Sequence, residues 1–392
     1  MTSLTEALIG VYVHIPFCVS RCPYCDFNSS ASGSPPEDEY VSALVAELSA
    51  LVQQEGLSRP LASIYIGGGT PSLFSAKGIG AIIHAIKEAM TPVPSIEITI
   101  EVNPDSASLD KLKGYRDAGV NRLSIGIQSF DDKILKTLGR PHTAAQAAAA
   151  MDAGYKAGFT NIGADLIFGA NGQRLEDWLG DVQTLIRLKP EHVSIYGLTV
   201  EEGTPYARLY KEARLLKTPQ DEEAEMYSSA IALLKEAGWI HYEISNLARP
   251  GFQSVHNRAY WRGRDYIGLG AGAHSYLSYP AHPGWGRRWW NVAAPDEYMK
   301  AASSGNGAIA DSETLDREKA LTEAVMLGLR DLETGITAAT FQRRFGLPLK
   351  EALPAWAGLA NDGFIEEYAN GLRLSFRGAL IANDLFLRLL KQ

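Results

Sequence analysis

Six short runs rich in apolar and β-branched residues recur through the first half of the chain. They are VYVHIPF (11–17), ASIYIGG (62–68), SIEITIEV (95–102), RLSIGIQS (122–129), NIGADLIFG (161–169) and HVSIYGLT (192–199). Near-continuous apolar strands of this kind predict a parallel sheet buried on both faces. Helical periodicity fills the gaps between them. Over 38–52, Val41, Leu44, Val45, Leu48, Leu51 and Val52 follow the i, i+3, i+4, i+7 rule, with Pro35 and Pro36 before and Gly56 after. Residues 75–89, 108–118, 143–157, 175–187 and 220–237 read as further helices. A β/α unit repeated six times predicts an α/β fold, either a barrel or a doubly wound sheet.

The strand ends choose between the two. Cys18, GGGTP (67–71), Glu101, Gln128, Gly169 and Thr199 all lie at or just past the C-terminal end of a run. In a parallel barrel those ends converge on one face, whereas a doubly wound sheet uses only those beside one switch point. The expectation is a partial (β/α)6 TIM-like barrel over residues 1–240. After about residue 240 the chain becomes rich in glycine and aromatics, and residues 241–310 are expected to form a β-rich extension of short strands and loops. Residues 311–392 read as a winged-helix-like domain. Its helices are predicted at 311–331, 337–345 and 349–361, followed by a hairpin in FIEEYANGLRLSF turning at Asn370-Gly371 and a last helix at 377–391.

Charge and composition bound the function. The formal net charge is −8 over 392 residues, which disfavours binding nucleic acid through broad phosphate neutralisation. No run of 18 apolar residues is present, so no transmembrane segment is expected. The start of the chain lacks the pattern of a secretory signal, and a cytoplasmic location is expected. An odd number of cysteines, three, argues against a disulfide framework.

Those three cysteines are Cys18, Cys22 and Cys25, spaced C-x3-C-x2-C directly after the first predicted strand. Pro23 discourages a regular helix between them, so the segment loops, and a loop can aim three sulfurs at one centre. A structural zinc would need a fourth ligand, for which His14 or His274 is available. A [4Fe–4S] cluster on three cysteines would leave one iron open to a small molecule with paired amine and carboxylate donors. Three unligated structural thiols would be a liability in one loop.

With that placement the motif resembles the radical S-adenosylmethionine (SAM) superfamily. The resemblance implies that Cys18, Cys22 and Cys25 hold a [4Fe–4S] cluster whose open iron takes SAM. It further implies that Tyr24 packs on the adenine and that Gly68, Gly69 and Thr70 of GGGTP meet the methionine end. VYVHIPFC, EVNP, GIQSF, LGRPH and DLIFG extend the likeness to the oxygen-independent coproporphyrinogen oxidase branch. By that likeness Tyr12 and Glu101 belong to SAM on the cluster. Gln128, Arg140 and Asp165 contact a second SAM or its substitute.

Within that branch two features depart from the oxidases. Phe27 stands where they carry a further cysteine, and only 17 residues precede Cys18. HNRAYW (256–261), followed by YIGLGAGAHSY, is similar instead to the HemW-type heme chaperone family. This resemblance implies heme as a ligand, with His256 as its axial ligand and Tyr260 and Trp261 as flat apolar surface. Trp285, Trp289 and Trp290 lie nearby in sequence, and Arg287 and Arg288 are available for propionates. Delivery to acceptor hemoproteins follows, membrane-bound respiratory proteins among them, with transient membrane-surface contact and a monomer or homodimer as the working unit. The alternative is an enzyme that decarboxylates coproporphyrinogen III through reductive SAM cleavage.

Overall fold

The computed structural model describes residues 8–57, 59–278, 284–305 and 307–389. Residues 1–7, residues 280–283 of the tryptophan-rich stretch and the end of the expected last helix lie outside the described residues.

The six predicted runs form strands β1 (Ile9–Ile15), β2 (Leu61–Gly68), β3 (Pro92–Val102), β4 (Arg122–Gln128), β5 (Ile162–Phe168) and β6 (His192–Gly197), parallel and adjacent in that order. Between them run α1 (Glu37–Glu55), α2 (Ala76–Ala89), α3 (Leu109–Asp117), α4 (Ala144–Lys156) and α5 (Leu175–Leu188), and α6 (Gln220–Glu236) follows β6. Some of these helices start at a side-chain cap, and α1 and α6 start after a proline. Ser75 accepts the Gly78 amide at the head of α2, and Thr143 and Gln146 form a capping box at the head of α4.

Alternation along the strands gives the sheet two different faces. Val11, Val13, Ile64, Ile66, Ile98, Ile100, Leu123 and Ile125 are buried on the face that the helices cover. Each such side chain contributes about 1.5–3 kcal/mol of burial. The inner face is polar. Tyr12 pairs across to Tyr65, Tyr65 to Thr99 and Thr99 to Arg122, all in one row. The fold is therefore a partial barrel whose lumen is lined by titratable and hydroxyl groups.

The segment after residue 240 continues this same sheet at both edges. Strands β7 (Ile240–Glu243) and β8 (Asn246–Ala248) add antiparallel beyond β6. At the other edge β9 (Asp265–Leu269) pairs parallel with β1. Then β10 (His274–Ser278), β11 (Gly286–Asn291) and β12 (Ile309–Thr314) follow antiparallel. The twelve strands run β12-β11-β10-β9-β1-β2-β3-β4-β5-β6-β8-β7. HNRAYW is not a loop. It makes a short helix, α7 (Val255–Trp261), capped by Ser254 and packed against β2.

The C-terminal region has its own core of Leu329, Phe341, Phe345, Ile365, Leu372 and Phe386. It differs from the predicted elements in four places. The expected helix 311–331 is strand β12 followed by a helix at Arg317–Gly328. The expected helix 349–361 breaks into Leu349–Ala352 and Trp356–Asn361, because Pro354 drives Leu353 out of helical geometry (φ −126°, ψ 73°). The last helix breaks at Ile381, where φ is −120°. The hairpin turns one residue early, at Ala369-Asn370, with Tyr368 paired to Gly371. Gly371 serves a close approach instead of the turn, since a side chain there would strike the Ile336 carbonyl.

Candidate functional site

The chain leaves β1 through Pro16, and Phe17–Cys18 then pairs with Ser30–Ala31, closing the base of the cysteine loop. The Cys25 amide bonds the Cys22 carbonyl at 3.1 Å, so Pro23 and Tyr24 form a tight turn, as Pro23 requires. The loop is anchored on both flanks. His14 Nε2 bonds the Asn28 carbonyl at 2.8 Å, and the Asn28 amide donates to the carbonyls of Ala271 and Ala293, both at 2.9 Å. All three cysteines are free and line one cavity of about 380 Å³ at the C-terminal ends of the strands. Burial raises the thiol pKa of Cys18 and of Cys25, so cationic metal in contact would stabilise their thiolates.

The glycines of GGGTP are sterically obligatory. A Cβ on Gly69 would lie 2.9 Å from Cys18 Sγ and 2.7 Å from the Phe17 carbonyl oxygen. One on Gly68 would meet the His14 ring at 2.6 Å, and its φ of +120° excludes most side chains in any case. The strand end therefore lies directly against the cysteine loop, with the Thr70 amide bonded to the Phe17 carbonyl at 2.8 Å. Opposite, Glu101 accepts from Tyr65 Oη at 2.8 Å and from the Gly68 amide at 3.0 Å, and burial pushes its carboxyl up to about 7.

The other predicted residues meet in the same cavity. Arg140 donates to Cys22 Sγ at 3.5 Å and to Asn103 Oδ1 at 2.8 Å, bridging the cysteine loop to the end of β3. Asp165 accepts from Ser124 Oγ at 3.1 Å, and burial raises its pKa. Gln128 ends β4 in the left-handed region with φ +66°, a strained conformation for a non-glycine residue and common at functional sites. Tyr24 leans edge-on against Tyr206 beside Leu138 and Ile167. Tyr12 lies deeper, bonded to His14 Nδ1 at 2.9 Å.

Further lining residues went unnoticed in the sequence: Tyr65, Arg122, Ser124 and Ser194 of the inner face, Asn103 just past β3, and Asn257 of α7. For the strand residues the signal was a polar residue at alternate positions of runs that otherwise read as apolar.

His256 lies apart from the cavity, and its surroundings differ from those of an open ligand. It is 2% exposed, its Nδ1 bonds Ser63 Oγ at 2.9 Å and its Nε2 bonds Tyr260 Oη at 2.9 Å. The ring stacks on Tyr65 at 5.2 Å, and burial depresses its pKa to about 3. Glu97 accepts the Val255 and His256 amides at 3.0 Å and holds α7 under the barrel. Both ring nitrogens are thus engaged by neighbouring side chains. On the other side of α7, Arg258 and Arg262 bond the fully buried Asp331 at 3.3 and 3.2 Å, tying the plug to the C-terminal region.

The residues present fit an iron–sulfur cluster and a chelating ligand. Three free thiols share a cavity. Gln128 Oε1 and Arg140 Nε are buried without hydrogen-bond partners, as groups awaiting a polar ligand would be.

Comparison with known proteins bears on this arrangement. Residues 12–185 match the model of the Radical SAM superfamily, and residues 315–381 match the HemN C-terminal domain. The chain is 36% identical to "Heme chaperone HemW" of Bacillus subtilis, over 96% of this chain and 98% of the relative. It is 43% identical to that of Haemophilus influenzae over 69% and 71%. It is 34% identical to "Radical S-adenosyl methionine domain-containing protein 1, mitochondrial" of Bos taurus over 98% and 87%. Among solved structures, the coproporphyrinogen III oxidase HemN of Escherichia coli superposes with a TM-score of 0.80 at 23% identity, covering 98% of this chain and 90% of that one. At that identity the likeness shows the fold alone.

Proposed function

Since the chain belongs to the HemW heme chaperone family, we propose that it binds heme, carries a [4Fe–4S] cluster on Cys18, Cys22 and Cys25, and hands the heme to acceptor hemoproteins. The observation that carries this reading is the kinship with proteins named heme chaperones over 96% of the chain. That span takes in the cysteine loop, the SAM-type cavity and α7 together. The oxidase alternative has only the shared fold in its support.

A bound cluster with SAM would supply a redox-active iron with one chelated position. The chain's own residues do the rest. Gly67–Gly69 let the backbone approach the cysteine loop, and the Gly68 amide is already aligned by Glu101. Glu101 and Asp165 present carboxylates suited to ribose hydroxyls or an ammonium group. Arg140 holds the Cys22 side of the loop against β3 and offers its free Nε to a carboxylate. Tyr24 and Ile167 cover the apolar side of the cavity.

No helix among the described residues is long and apolar enough to cross a membrane, so any delivery to membrane-bound acceptors would proceed by surface contact. The test is a hemin titration of the full chain with the Soret band as readout, paired with an anaerobic coproporphyrinogen III assay on the reconstituted protein. Stoichiometric binding with no protoporphyrinogen formed is expected. Turnover of coproporphyrinogen would overturn the reading.

A further inference from the structure

Asn103 follows the last residue of β3 and lines the cavity between the glycine-rich strand end and the cysteine loop. Its Oδ1 accepts from Arg140 Nη2 at 2.8 Å, and its Nδ2 donates to Thr70 Oγ1 at 3.2 Å. Both partners reach a cysteine. Arg140 donates through its other terminal nitrogen, Nη1, to Cys22 Sγ at 3.5 Å, while Nη2 is also steadied by the Gly126 carbonyl at 3.3 Å. Thr70 is buried and its amide bonds the carbonyl of Phe17, the residue before Cys18. Gly69, just before Thr70, lies so near Cys18 that a Cβ there would be 2.9 Å from Sγ. Burial raises the Cys18 thiol, and a hydrogen bond from the Thr70 hydroxyl works against that rise. One amide therefore links the donors to two of the three sulfurs.

The direction of each bond follows from what the groups can do. A guanidinium only donates, so the Asn103 oxygen must face Arg140. The Asn103 nitrogen then faces Thr70, and the Thr70 oxygen is the acceptor of that bond. The Thr70 hydroxyl keeps its own proton for the sulfur beside it. The frame behind this amide is rigid. The Asn103 backbone amide bonds Ser72 Oγ at 3.1 Å, and its carbonyl accepts from the Ser106 amide and from Ser106 Oγ, both at 3.0 Å. Ser72 Oγ and Ser106 Oγ are bonded to each other at 2.6 Å.

We propose that Asn103 is a positioning residue for the cluster: it aims the Thr70 hydroxyl at Cys18 and the Arg140 guanidinium at Cys22, and so sets the reduction potential of the iron–sulfur centre. Hydrogen bonds to the sulfurs are among the determinants of that potential. A cluster that takes up one electron gains one negative charge, shared with its thiolate sulfurs. Donors aimed at those sulfurs bind the more negative form better and raise the potential. The inference rests on the [4Fe–4S] reading above and deepens it.

The experiment is an anaerobic redox titration of the reconstituted full chain without SAM. Dithionite is the one-electron reductant, and electron paramagnetic resonance of the reduced cluster is the readout. Iron and sulfide are measured on every sample. Wild type is compared with Asn103→Leu, which has nearly the same shape and no charge, with Thr70→Val, and with the double variant. Each single variant is expected to make reduction about tenfold less favourable, a shift of about 59 mV to more negative potential. The double variant should shift by less than the sum, since both changes act through the same bond to Cys18. Iron content should stay near the wild-type level, because all three cysteines remain. A wild-type potential in Asn103→Leu, or shifts that add in full, would overturn the proposal. Failure of Asn103→Leu to take up iron would mean that the residue only shapes the loop, and would overturn it equally. A wild type that takes up no cluster would overturn the cluster reading itself, which is a separate outcome.

Discussion

At the scale of single residues the cysteine loop is held by contacts with little slack. Cys22 is bonded to Arg140, and Gly69 has no room for a methyl group beside Cys18. Replacing Cys22 with serine is expected to abolish both the broad absorption near 400 nm and the bound iron, checked by absorption and iron analysis after anaerobic reconstitution. Gly69→Ala keeps all three thiols yet should reduce cluster loading severalfold in the same assay, since its Cβ would push on Cys18 Sγ. His256 makes a prediction of a different kind. Its removal leaves Ser63 and Tyr260 unpaired in a buried space under Tyr12. His256→Ala should cost about 2–5 kcal/mol in denaturant unfolding, the range for a lost buried hydrogen bond plus a cavity.

At the scale of elements, Glu47 shows how the outer helices steer the site. It is 3% exposed on α1 and accepts from the Gly270 amide at 2.9 Å, from Tyr298 Oη at 2.6 Å and from Asn291. The turn it fixes holds Asn28 and hence the cysteine loop. Burial pushes its carboxyl from 4.5 up to about 7. A raised carboxyl pKa means that the folded state holds a proton the unfolded state has lost between those values. The contribution is therefore full below about 4.5 and declines as pH rises to about 7. Over that window Glu47 should withdraw about 3 kcal/mol of stability. In Glu47→Gln the pH dependence of the melting temperature should flatten there, and an unchanged slope would contradict the buried-carboxyl account.

The β/α repeat was legible in the sequence to within two or three residues, because each run is apolar enough to read as a buried strand and helical periodicity fills the gaps. Glu101 and Gln128 were legible as polar groups where an apolar run stops, whereas Arg140 and Asp165 were named only through the family resemblance. What stayed hidden depends on pairing between distant segments. Nothing local says that Asp265–Leu269 joins β1 after some 250 intervening residues, or that Gly371 serves a neighbouring strand instead of a turn. The surroundings of HNRAYW were hidden in the same way, since the partners of His256, Ser63 and Glu97, come from β2 and β3.

At the scale of the whole molecule, α7 joins the two cores. One side plugs the lumen through His256, and the other grips Asp331, which also accepts the Glu333 and Thr334 amides at 3.2 and 2.8 Å. Removing one partner of a buried ion pair typically costs about 3–5 kcal/mol. Asp331→Ala should therefore loosen the C-terminal region, seen as faster proteolysis after residue 314 with the barrel intact. The larger arrangement puts the cavity lined by the three cysteines at the C-terminal ends of the strands of one continuous sheet. The most direct measurement loads the reconstituted full chain with heme, adds a heme-free acceptor hemoprotein and follows the Soret band. The account predicts that the chain's own spectrum decays as the acceptor's grows, in equal amounts. Heme that never binds, or that stays bound while the acceptor remains empty, would contradict it.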